Sequence, residues 1–224
     1  MANTKILRSG IVMVGLAALS AALTASGPTR ADDPATETDV RIKRGFEVAP
    51  VPLNLAGKDP ALVGLGSYYV NVLDACNDCH TASAQLEYAP GGNPYFGQPR
   101  VVNPTVYLGG GNDFGPEVPG APHIVSRNLT PDKTGKPAGG LSFAQFREII
   151  RTGVDLDHLH PSCSATVTTN CLPAPFDGEL LQIMPWPLFQ SMTDFELRAI
   201  YEYLSAVPCI EGPPAPSVLH NDCT

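Results

Sequence analysis

The residues best placed to do chemistry are Cys76-Asn77-Asp78-Cys79-His80. Two thiols three positions apart can add to the two vinyl groups of one porphyrin. The imidazole that follows can reach the iron from one side of the ring. The pattern reads as an attachment site for c-type haem. It occurs once, which implies one haem. With His80 on one face, the group on the opposite face decides between electron transfer and chemistry at an open position.

Beyond the N-terminal leader the chain has two methionines, Met184 and Met192. Met192 directly precedes Thr193, a helix cap, where an apolar residue staples against Leu197 one turn on, so packing accounts for it. Met184 lies in Ile183-Met184-Pro185-Trp186-Pro187, where prolines stiffen extended backbone. Met184 is therefore favoured as the second ligand. His123, His158, His160 and His220 are the other candidates, and His158 or His160 would give a bis-histidine haem. Trp186 either covers the haem, donates its indole N–H to a propionate, or fills core.

Haem attachment through thioethers requires export, and the N-terminus fits it. Lys5 and Arg8 precede an apolar run from Ile11 to Leu23, and Thr29-Arg30-Ala31 follows as a cleavage region. This is the pattern of a secretory signal peptide over residues 1–31. The run is shorter than the roughly 20 residues of a membrane span. Cleavage removes three basic residues and no acidic one. The balance moves from 14 Lys+Arg against 22 Asp+Glu to 11 against 22, a formal charge of −11 over 193 residues. Such acidity disfavours nucleic acid and anionic lipid, and suits basic partner patches or plain solubility. The length suffices for one domain with a sizeable core.

Six cysteines are present, and four lie outside the haem motif: Cys163, Cys171, Cys209 and Cys223. In an oxidising compartment they suggest two disulfides, with three pairings open. Pairing Cys163 with Cys171 and Cys209 with Cys223 closes the shortest loops, each stabilising by about 2–3 kcal/mol on the chain-entropy model. A metal site using these cysteines with His158 and His160 is the alternative, although the spacing matches no common zinc pattern.

Helical signals surround the motif. Asp59 and Pro60 begin a helix reaching about Ala75, with Leu62, Leu65, Tyr69 and Val72 in helical register. Ser142 with Gln145, and Thr193 with Glu196, are capping boxes that open two more helices, ended by Gly153 and Pro208. Gly66 and Tyr69 are expected against Tyr201 and Leu204. Residues 32–57 read as a linker or extended arm. Pro90-Gly91-Gly92, Gly109-Gly110-Gly111 and Pro119-Gly120 mark coil between them.

In this order the pieces resemble the class I cytochrome c domain family: Gly66-Ser67-Tyr68-Tyr69, then Cys76 to Thr81, then Met184-Pro185, then Met192 to Leu204. A narrower likeness, to cytochrome c subunits of bacterial periplasmic dehydrogenases, rests on three stretches: Leu108 to Gly111, Arg127-Asn128-Leu129-Thr130-Pro131-Asp132, and Phe146 to Gly153. The resemblance covers roughly residues 58–208. It implies an all-α, cytochrome c-like set of helices around one covalent haem, with long coil insertions. It also implies thioethers at Cys76 and Cys79, His80 as proximal ligand and Met184 as distal ligand. Asn128-Leu129-Thr130 also fits a glycosylation acceptor, whereas the family reading makes it a loop element near the haem. Two departures stand out: the stretch from Asp155 to Asp177 is long and carries two extra cysteines, and only one haem domain is present.

The expectation is a periplasmic electron carrier with no catalytic residues of its own. It would shuttle single electrons between a dehydrogenase and a respiratory acceptor, as a shuttle or as a small subunit of an oxidoreductase complex. Residues 1–31 would be the signal peptide, 32–57 the arm, 58–208 the cytochrome c domain and 209–224 a C-terminal tail. One alternative is a haem enzyme or a gas- or peroxide-reactive protein with an open sixth position. Another is a thiol redox site at Cys76 and Cys79, against which the missing βαβ pattern argues.

Overall fold

The fold is taken from a computed structural model, which describes residues 34–214 and 219–224. The signal-peptide expectation falls outside these residues. Among the described residues, seven α-helical segments and one two-stranded antiparallel sheet are formed: α1 (Pro34–Val48), α2 (Pro60–Tyr68), α3 (Cys76–Cys79), β1 (Asp113–Pro116), β2 (His123–Val125), α4 (Pro137–Gly140), α5 (Phe143–Thr152), α6 (Trp186–Phe189) and α7 (Asp194–Leu204). Extended coil links them. No helix among the described residues is long and apolar enough to cross a membrane.

The capping signals act where the sequence places them. Asp59 accepts from Ala61 N at the start of α2. Ser142 with Gln145, and Thr193 with Glu196, close reciprocal capping boxes on α5 and α7. Gly153 ends α5 in the left-handed conformation at φ 74°. The helix entering the motif departs from expectation in its last turn. Beyond Tyr68 it widens into a π turn over Tyr69–Leu73, closed by Asp74 N donating to Tyr69 O at 2.9 Å. Ala75 then turns left-handed at φ 48° and starts α3 in a new direction.

Residues 34–48, expected to be part of an extended arm, are helical instead. Local pairs support α1, with Arg41 on Glu37 and Arg44 on Glu47, both at 3.1 Å. The larger cause is tertiary. A Cβ on Gly45 would stand 1.8 Å from Gly64 O, so two glycines let α1 and α2 touch backbone to backbone. Ser67 Oγ donates to Gly45 O at 2.6 Å across that contact. Polar flanks in the sequence concealed a helix whose packing depends on absent side chains.

A second close crossing joins α2 to α7. A Cβ on Gly66 would lie 1.9 Å from Ala199 O and 2.8 Å from Tyr203 Cβ. Gly66 therefore meets Ala199 and Tyr203 rather than Tyr201 and Leu204. Around the crossing Val63, Leu65, Val70, Leu197, Tyr203 and Leu204 form the core. Its buried hydroxyls are paired: Tyr107 and Tyr203 lie 2.7 Å apart, and Asn71 bonds both at 2.7 and 3.1 Å.

Disulfides join Cys163 to Cys171 and Cys209 to Cys223. The second draws the C-terminal residues back onto the chain, where buried Asn221 donates to Thr130 O at 2.8 Å. The four cysteines are taken up by these bonds and His158 faces Glu179 at 3.2 Å, so among the described residues no cluster of metal-ligating side chains forms here.

Gly66→Ala tests the α2–α7 crossing. Alanine adds about 1 kcal/mol of helix propensity, but overpacking against backbone costs about 1–3 kcal/mol or more. A net loss of about 1–2 kcal/mol in denaturant unfolding is expected, because the clash is with backbone and lies toward the costly end of that range. An unchanged or raised midpoint would contradict the contact.

Candidate functional site

The motif is delivered by strained backbone. After the π turn, Ala75 reverses the chain so that α3 presents Cys76, Cys79 and His80 to a cavity of about 320 Å³. Local π geometry and left-handed non-glycine residues are both uncommon and cluster at functional positions. Leu108 is also left-handed (φ 59°) and fully buried. Its N–H is taken by the buried Asn77 Oδ1 at 2.9 Å, which ties the middle of the motif to the glycine-rich loop.

His80 is oriented by backbone. Its Nδ1 donates to Arg127 O at 2.7 Å. That bond fixes the tautomer and leaves Nε2 as the free acceptor. Burial pushes the imidazole pKa down, toward the neutral form that ligates a metal. Gly110 makes the approach possible. At φ 68°, its Cβ would lie 2.5 Å from Arg127 C, while Gly110 N donates to His80 O at 3.0 Å.

The thiols of Cys76 and Cys79 are free, whereas the other four cysteines pair. Burial, reinforced by Asp74, pushes the Cys76 thiol far up, and burial with Asp78 raises Cys79. Reactive redox thiols need the opposite, an electropositive setting that favours thiolate. The thiol-exchange alternative therefore lacks electrostatic support.

The cavity wall is mostly apolar, with Leu129, Phe146, Ile150, Leu197, Ile200 and Leu204 among its residues. Met184 lies on it, behind Ile183, a β-branched residue held at φ 65°. Met192 lines the same cavity, so its place before the α7 cap does not remove it from the site. His160 and His220 are on the wall as well, and His160 Nδ1 is buried without a hydrogen-bond partner. His123 is engaged with Asp113 at 2.8 Å on the exposed hairpin.

Trp186 does not line the cavity. Its indole N–H donates to Leu181 O at 3.2 Å and its ring lies against Gly153, where a Cβ would come within 2.2 Å. Its role is to join α5 to the methionine-bearing segment. Asn128 is buried and engaged: Nδ2 donates to Ile210 O at 2.7 Å, and Oδ1 accepts from Thr130 Oγ1 at 2.7 Å. It is a structural residue on the cavity wall, inaccessible to a glycan.

Sequence reasoning missed the acceptor for His80, because a carbonyl carries no residue signature. It also missed Asp74. This carboxyl lines the cavity at the end of the π turn, and burial, then the Glu196 charge, raise its pKa to about 6. The cap fixes Glu196, whose carboxylate accepts from Thr193 N at 2.7 Å and Thr193 Oγ1 at 2.9 Å.

These residues fit an apolar macrocycle attached at one edge: two free thiols, an oriented imidazole, and soft or nitrogen donors around a greasy wall. Comparison with known proteins agrees in kind. Over 173 residues, 73% of this chain, the sequence is 29% identical to the cytochrome c subunit of a quinone alcohol dehydrogenase from Gluconacetobacter polyoxogenes. The same values hold for the corresponding subunit of Komagataeibacter europaeus. The match spans 27% of the length of each of these relatives. No family model matches, and no solved structure matches. The chain is thus a distant relative of part of a cytochrome c subunit.

Asp74 generates a test by pH. Its folded pKa is raised, so the native state holds the proton more tightly than the unfolded chain. Stability from this group is present at low pH and is lost as pH rises from about 4 through about 6. Asp74→Asn, which keeps the neutral shape, should raise stability at pH 7 by about 1 kcal/mol after allowance for solvent screening. It should change little at pH 4. Equal effects at both pH values would refute the assignment.

Proposed function

We propose that this protein transfers single electrons through one c-type haem, attached by thioethers at Cys76 and Cys79 and ligated by His80 and Met184. The observation that carries this reading is the convergence of both free thiols and the Arg127-oriented imidazole on one apolar cavity that also contains Met184. When bound, the haem would supply a one-electron centre at its iron, and a methionine thioether among its ligands would favour the reduced state.

The chain's own residues do the rest. Arg127 O holds His80 Nδ1–H, so Nε2 is the ring nitrogen left free to act as ligand. The strained turn at Ile183, with Pro185 following, limits the conformations open to Met184. Phe146, Ile150, Leu197 and Ile200 give the cavity an apolar wall, which disfavours the additional charge of the oxidised state. The close crossings at Gly45–Gly64 and Gly66–Ala199 make a stiff frame, so little need move when the electron does.

The fold reading is a cytochrome c-like domain built from α2, α3, α5 and α7, with the small hairpin and the disulfide loop as insertions. We place the protein in the periplasm, with a dehydrogenase as donor and a respiratory component as acceptor. Support comes from the two relatives, which are cytochrome c subunits of quinone alcohol dehydrogenases, and from the leader pattern. The acidic surface suits a basic docking partner.

The ligand assignment is tested by spectra of the haem-loaded protein. A low-spin ferric form with a sulfur-to-iron charge-transfer band is expected. Met184→Ala should abolish the band and open the iron to carbon monoxide, while Met192→Ala retains it. Persistence of the band in Met184→Ala, with loss in Met192→Ala, would reverse the assignment. A high-spin parent that binds peroxide readily would favour the open-site alternative.

A further inference from the structure

Arg127 joins two parts of the molecule that the electron-transfer reading leaves unconnected. Its carbonyl accepts the His80 ring N–H, while its guanidinium is gripped from the other side. Nη2 donates to Asp155 Oδ1 at 2.6 Å and Nε donates to Asp157 Oδ2 at 2.8 Å. Asp155 is 6% exposed, so this is not a solvated surface pair. The carboxylate is itself fixed, with Oδ1 accepting from Asp157 N at 3.1 Å and Oδ2 from Leu159 N at 3.3 Å. Its backbone N–H donates to Glu179 O at 2.8 Å. All three residues line the cavity.

We propose that Asp155 is a positioning residue for His80, and that the Asp155–Asp177 loop thereby sets the reduction potential of the haem. The inference rests on the haem reading above. Two physical effects act with the same sign. A firmly held acceptor at Nδ1 strengthens the donor character of Nε2, which favours the oxidised iron. Two carboxylates against one guanidinium leave a net negative charge beside the cavity, which also favours the oxidised state. The loop thus lowers the potential that an apolar cavity and a methionine ligand raise. Its length and the Cys163–Cys171 disulfide then have a purpose, because the loop folds back so that Asp155 meets Glu179 and Ser162 meets Leu172.

The test uses the full haem-loaded chain. Asp155→Asn keeps size and removes charge. Midpoint potential is read by spectroelectrochemical titration, and exchange of the His80 ring N–H by NMR. An upward shift in potential with faster exchange is expected in Asp155→Asn. Asp155→Glu should move both values back toward the parent. Asp157→Asn, at the more exposed partner, should give a smaller upward shift and serves if Asp155→Asn does not fold. Reduced thermal stability with potential and exchange unmoved overturns the proposal, because a merely structural residue would behave so. A chain that emerges without haem overturns the reading beneath it as well; a haem-bearing chain with an unmoved potential overturns this proposal alone.

Discussion

The hydrogen bond from His80 Nδ1 to Arg127 O, 2.7 Å long, is the constraint on which the site depends. A histidine with a free ring could present either nitrogen, and rotation about χ2 would swing the donor away from the cavity. The bond removes that freedom, but it demands that a backbone segment 47 residues downstream lie against the motif. Three features meet the demand. Gly110 lacks the Cβ that would strike Arg127 C. Leu129 N donates to Leu108 O at 2.8 Å and Gly111 N to Ser126 O at 2.9 Å, so the two loops run side by side. Asn77 Oδ1 holds Leu108 N from within the motif itself.

The same economy governs the helices. Glycines at 45, 64 and 66 permit backbone contacts that place α1, α2 and α7 as one unit. The hydroxyls buried in that unit, on Tyr107, Tyr203 and Ser67, are satisfied by Asn71 and by Gly45 O, so desolvating them carries little penalty. The π turn after Tyr68 and the left-handed Ala75 then turn the end of α2 into the cavity wall. Strain at Ala75, Leu108 and Ile183 lies in residues flanking the proposed ligands or touching the motif. It persists because the surrounding packing over-determines those conformations.

What could be read directly from the sequence was local. Capping boxes at Ser142–Gln145 and Thr193–Glu196 depend on residues three apart, and both form. The motif, the two methionines and the shortest-loop disulfide pairing were likewise visible as residues and spacings. The rest was long-range. α1 escaped notice because its packing depends on a Gly–Gly contact between segments 19 residues apart rather than on an apolar stripe. Met192 satisfied a capping rule and yet also faces the cavity, since one side chain can serve both. Trp186 lay beside a candidate ligand in sequence, but its ring turned to fill the space left by Gly153. The Arg127 carbonyl could not be read at all, although the Gly109-Gly110-Gly111 run marked the close approach that it needs.

The central claim is that Cys76 and Cys79 are bonded to a porphyrin. Intact mass of the chain, produced in a host with haem-attachment machinery and analysed after denaturation and acid extraction of free haem, tests it most directly. The account predicts the polypeptide mass plus one haem, retained under denaturation and lost when both Cys76 and Cys79 are replaced by alanine. A chain with the bare polypeptide mass, less two hydrogens for a Cys76–Cys79 disulfide beyond the two pairs already formed, would contradict it.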